Sequence, residues 1–162
     1  MRALRIAACI VLTATAAFAQ SGAQRSFDQL KSLAGSWEGK NSMGQPVQVS
    51  YRMTAGGSAL MSEIVGHGET MISMINFDGP NRLLLTHYCA VGNQPRMQAS
   101  ASPDGKTITF SFLDATNLDS PQSGHMDQVV IAMLGPDHHT EEWNFIDHGK
   151  EIKEFFDLTR KN

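Results

Sequence analysis

The chain has 162 residues, 41% of them hydrophobic, with sixteen acidic against thirteen basic residues and a formal net charge of −3. That balance argues against nucleic acid and anionic membrane surfaces as partners. The length suits one domain with its own core and leaves no room for a second.

Residues 1–19 read as a secretory signal: Arg2 and Arg5 form a charged start, an apolar run follows, and Ala17-Phe18-Ala19 supplies a cleavage site before Gln20. The expected product is exported, to the periplasm or the medium. It carries no membrane anchor, because Cys9 stands too close to the start for a lipoprotein signal and no later apolar run is long enough to span a bilayer. Removing Arg2 and Arg5 leaves eleven basic against sixteen acidic residues, near −5, and leaves Cys89 without a partner for a disulfide. The expected division is signal peptide 1–19, flexible leader 20–25 and one domain over 26–162.

Ser26-Phe27-Asp28-Gln29 has the spacing of a capping box, and Phe27, Leu30, Leu33 and Ala34 then share one helical face up to Gly35. From Ser36 the apolar period becomes two, most plainly in Val47-x-Val49-x-Tyr51-x-Met53 and Ile108-x-Phe110-x-Phe112. Ten candidate strands follow, at 36–40, 47–53, 59–65, 70–77, 82–90, 96–101, 108–112, 126–133, 140–146 and 150–158. Glycine, proline and asparagine turns separate them, and such short links permit only antiparallel neighbours. The one longer connection, 114–124, is the expected mobile rim loop. Strands with one apolar face each must pair as two sheets or close on themselves, and closure removes exposed edges. The predicted fold is therefore all-β, an antiparallel up-and-down barrel of eight to ten strands with one short N-terminal helix.

Leu33-Ala34-Gly35-Ser36-Trp37-Glu38-Gly39 places a Gly-x-Trp between that helix and the first strand. In this it resembles the lipocalin-like, or calycin, superfamily, in particular its small bacterial domains and the nitrobindin branch. The resemblance implies a barrel with an internal pocket for a small, largely apolar molecule, Trp37 crossing the floor. In nitrobindins a histidine binds haem iron, so haem is the alternative cofactor to none at all.

The stretch from Thr86 to Met97 is chemically the richest. Alternation puts Leu83, Leu85, His87 and Cys89 on one face and Leu84, Thr86 and Tyr88 on the other. If the Leu83 face points inward, an imidazole and a thiol meet the cavity; the plainer reading makes His87 a satisfied core histidine and Cys89 an inert hydrophobe. Arg96 is a candidate to hold a polar head group at the barrel mouth, although a solvated arginine after a turn is the commoner outcome. Trp37, Tyr51, Met97, Phe110 and Trp143 complete the candidate ligand wall, or else a dry core. His138 and His139 face opposite ways on a strand and cannot grip one ion, so both are expected in a solvated turn, and His125 and His148 at the surface. The favoured function is a non-catalytic exported carrier of a small hydrophobic molecule. The alternatives are a haem-binding or enzymatic barrel using His87 with Cys89 or Tyr88, and an interaction domain without ligand. Oligomeric state is not fixed by the sequence.

Overall fold

A computed structural model describes residues 20–66 and 68–161; the signal-like 1–19, with Cys9, and also His67 lie outside the described residues. One helix, α1 (Gly22–Lys31), precedes ten strands: β1 (Gly35–Lys40), β2 (Pro46–Thr54), β3 (Ala59–Gly66), β4 (Glu69–Phe77), β5 (Leu83–Tyr88), β6 (Gln94–Ala101), β7 (Thr107–Thr116), β8 (His125–Gly135), β9 (His138–Asp147) and β10 (Lys150–Arg160). Every predicted strand is present, with ends moved by a few residues.

The helix begins earlier than its Ser26 signal suggests. Ser21 is the N-cap, its hydroxyl accepting from the Gln24 amide at 3.1 Å, while Ser26 is buried inside the helix. Two successive Ser-x-x-Gln spacings compete, and the earlier one wins because it adds Ala23 to the core-facing stripe of Phe27 and Leu30. Residues from Gly22 are thus helical rather than a loose leader. After Lys31 the chain tightens through bonds from Ser32, Leu33 and Ala34 to carbonyls three residues back, and the break comes at Gly35, whose φ of 130° only glycine adopts readily.

The strands form a single antiparallel meander that closes when β1 pairs with both β2 and β10. Trp37 stands opposite Val49 on one side and Arg160 on the other. Closure is tight at Gly39, where a Cβ would lie 1.8 Å from the Asp157 carbonyl oxygen. A side chain there would force the closing strands apart.

The two ends of the barrel differ. At one end α1 is a plug: Phe27, Leu30 and Leu33 are buried, and Phe27 packs edge-on to Phe77 of β4 with ring centroids 4.8 Å apart. The Trp37 indole, 1% exposed, donates to the Leu33 carbonyl at 2.7 Å. Arg160 lies over the Trp37 ring at 4.2 Å and donates to the Ser32 and Ala34 carbonyls, tying the last strand to the helix exit. At the other end stand loops 41–45, 89–93, 117–124 and 148–149, with no helix over them among the described residues.

Candidate functional site

Strand register assembles a polar row inside the barrel. Tyr51 on β2 is opposite Ser62 on β3, Ser62 opposite Ser73 on β4, and Ser73 opposite His87 on β5. All four are buried. Across the interior, β9 presents His139, Glu141 and Trp143 at alternate positions, none more than 3% exposed.

Glu141 is the centre of this arrangement. The Tyr51 hydroxyl donates to its Oε1 at 2.5 Å and the Trp143 indole N–H to its Oε2 at 2.8 Å, while His139 Nε2 lies 3.3 Å from Oε1. A carboxylate out of water is tolerable only with such a set of donors. Burial, with Glu141 beside it, raises the Tyr51 hydroxyl well above the ordinary tyrosine value, so Tyr51 is a fixed donor. His139 also meets the edge of Trp37, with ring centroids 4.2 Å apart, which links the network to the plugged end.

His87 forms the second centre. Its Nδ1 is 2.9 Å from the Ser73 hydroxyl and its ring lies 5.0 Å from the Trp143 ring. Burial pushes its pKa down to about 4, against a smaller opposing pull from Glu141, so the imidazole is neutral at neutral pH. Neither His87 Nε2 nor His139 Nδ1 has a hydrogen-bond partner. Buried polar atoms in that condition cost about 1–3 kcal/mol each.

The barrel's middle is solid. Leu60, Ile75, Met97, Phe110 and Val129 present no surface a water molecule could reach, and Leu85 almost none. Towards the loop end the inward positions Met71, Phe112 and Phe145 are only half buried, so packing loosens there. A haem on His87 would have to displace the Trp143 ring, which packs 5.0 Å from the imidazole.

Of the residues singled out from sequence, Trp37, Tyr51, His87, Met97, Phe110 and Trp143 come together in the interior. The Leu83 face of β5 is the inward one, and Tyr88, 46% exposed, points away. Cys89 lies beyond the strand's end, in a turn closed by its own amide to Asn93 and by Gly92 back to its carbonyl. It is half buried and burial raises its thiol pKa, so it is a poor nucleophile and no partner for His87. Arg96 faces solvent and pairs with Asp114, its Nε donating at 2.6 Å.

Sequence reasoning missed His139, Glu141, Ser62 and Ser73. The expectation of a solvated His138-His139 turn is corrected for His139: strand β9 begins at His138, which pairs with the exposed Asp157, and alternation turns His139 fully inside. The signal was there, since His139 and Glu141 are four and two residues before the nominated Trp143. His125 is likewise buried, 4% exposed, against the Phe112 ring at 4.7 Å, whereas His148 stays at the surface.

A cleft of about 770 Å³ also lies beside the plugged end, between α1 and the β6–β7 turn. Its acidic groups are spoken for, Asp28 by Lys31 and Gln24 and Asp104 by the Ser102 hydroxyl. It has no link to the buried network.

The sequence matches no family profile and no curated protein. Among solved structures the chain is similar to Rv2717c from M. tuberculosis, with 14% identity, a TM-score of 0.59, and coverage of 85% of this chain and 98% of that one. That likeness is one of fold, and with the closed ten-strand meander, the helical plug and the Trp37 floor it is compatible with a lipocalin-like, calycin-type barrel.

Proposed function

We propose that this chain is an exported carrier that holds a small, largely apolar molecule in the loop-end half of its barrel, with the molecule's one polar group directed at His87. The observation that carries the reading is the state of His87: a neutral imidazole, oriented by Ser73 at the end of the buried polar row, with one nitrogen unpaired. A hydroxyl, carbonyl or amide placed on Nε2 would recover the cost of leaving that nitrogen unsatisfied. Met71, Phe112 and Phe145 supply soft, adaptable walls above it. The lipocalin-like form of the barrel supports the same reading, and residues 1–19 support export.

The test is native mass spectrometry with an absorbance spectrum, on protein beginning at Gln20 and purified gently from an exporting host. A discrete co-purifying mass, retained by the parent and lost from His87→Leu, is the expected result. An apo mass, together with no change in the His87 ring signals on titration with fatty acids, aromatic alcohols and sterols, would overturn the reading. A visible band after growth with haem would favour the haem alternative, and would require Trp143 to move.

A further inference from the structure

We infer that the loop-end parts of β7 and β8 form a gate in the barrel wall, filled by Phe112 against His125 and latched by Asn93 and Asn117, through which a ligand reaches the interior. What passes through it rests on the carrier reading; the gate itself rests on strand pairing. The β7–β8 ladder runs from Thr107↔Ala132 to Ser111↔Gln128 and stops, although β7 continues to Thr116 and β8 begins at His125. Beyond that point β7 follows only β6, and β8 follows only β9. A register shift lies on each side of the split, at Arg96/Met97 and at Met126/Gln128. Bulges add local twist, which turns the two strands away from each other.

The gap is filled by side chains. The rings of Phe112 and His125 pack 4.7 Å apart, and His125 Nδ1 is fixed 2.7 Å from the Ser123 carbonyl. Loop 117–124 is then tied to the β5–β6 turn by Asn93 Nδ2 donating to the Gly124 carbonyl at 2.6 Å and by Asn117 Nδ2 donating to the Gly92 carbonyl at 3.2 Å. Asn117 sits at a φ of 54°, so the latch is set on a bend of its own. Segments held by a few rim hydrogen bonds open without global unfolding. Of the two ends, α1 plugs one, and at the other loop 41–45 is tied to β10 where the Phe155 amide donates to the Ser42 hydroxyl at 2.8 Å. The gate's inner faces are Phe112 and Phe145 with Met126, which suits an uncharged molecule.

Hydrogen exchange by mass spectrometry on the unliganded protein tests the gate directly. Losing one latch bond should speed exchange over 112–127 by roughly threefold to tenfold in Asn93→Ala, with 129–133 unchanged. Asn117→Gly tolerates the positive φ and removes the second bond, so it serves if the first variant folds poorly. Acrylamide quenching of Trp143, identified by its loss in Trp143→Phe, should rise with the exchange rate in both variants. Unchanged exchange over 112–127 would refute the latch, and faster exchange without faster quenching of Trp143 would refute the seam as the way in. Failure of the carrier reading shows differently: the gate opens as described, yet no mass co-purifies and no probe shifts His87.

Discussion

Replacing Glu141 with glutamine tests whether the buried network holds the barrel together. The carboxylate receives the Tyr51 hydroxyl and the Trp143 indole N–H on different oxygens, with His139 facing the first. An amide has only one oxygen, so with that oxygen on the indole N–H its NH₂ group faces Tyr51 and His139, and the Tyr51 hydroxyl must turn from donor to acceptor. The network is rearranged and each of its three bonds loses its charge assistance, a cost of roughly 3 kcal/mol in all. For a domain of this size that lowers the thermal midpoint by about 10 °C. Tyr51→Phe removes one donor but leaves Glu141 with the other two groups, so it should cost about half as much. The double variant should fall short of the sum by more than about 0.5 kcal/mol, since both changes act on one carboxylate. Thermal unfolding followed by circular dichroism at neutral pH measures all three. A midpoint for Glu141→Gln within about 2 °C of the parent would refute the claim that this carboxylate anchors the interior.

His87 makes stability depend on acid. Its folded pKa, about 4, lies below the 6.5 of the exposed imidazole, so the unfolded chain binds the extra proton first. The stabilisation is complete above pH 6.5 and is lost as the pH falls towards 4, amounting to about 3 kcal/mol; urea midpoints across that range should show it, and His87→Leu with Ser73→Ala should flatten it. Gly39→Ala should prevent normal β1–β10 pairing, because its methyl would overlap the Asp157 carbonyl; a loss of roughly 3 kcal/mol or more in urea unfolding is expected, and a neutral result would mean the closure is looser than described. Arg160→Ala should cost about 2 kcal/mol in urea unfolding through the lost Trp37 contact and the freed Ser32 and Ala34 carbonyls, whereas Arg96→Ala, which breaks only an exposed pair with Asp114, should leave the urea midpoint unchanged.

The meander was legible because each strand has one apolar face and each link a turn sequence, and because Gly35 and Trp37 mark the passage from helix to barrel. The inward face of β5 was not: Leu84 and Leu85 are both buried, so alternation alone could not choose between His87 and Tyr88. His139 was missed for a related reason. A histidine beside Gly135-Pro136-Asp137 reads as turn chemistry, and only the pairing His139↔Leu158 shows that the strand has already begun. Glu141 stands next to a second acid, and strand alternation sends Glu142 out to Lys153 and Glu141 in to Tyr51. Charge by itself carries no information about which side of a sheet it occupies.

The barrel therefore sets two kinds of buried polarity against each other. Around Glu141 each acceptor oxygen has its donor, and such a set fixes the relative positions of β2 and β9 across the interior. Around His87 the set is incomplete, because Ser73 satisfies Nδ1 and nothing satisfies Nε2. If both were merely structural, a leucine at position 87 with an alanine at 73 would pack the same space and remove the acid sensitivity at little cost. On the carrier reading, keeping the imidazole costs stability that a hydrogen-bonding group delivered to Nε2 would restore. The comparison that decides between core and site is thus His87→Leu/Ser73→Ala against the parent, measured with and without any molecule that co-purifies with the parent. A gain in thermal midpoint without the molecule, together with loss of its binding, is what a site requires; an unchanged midpoint and undiminished binding would make His87 an ordinary core residue.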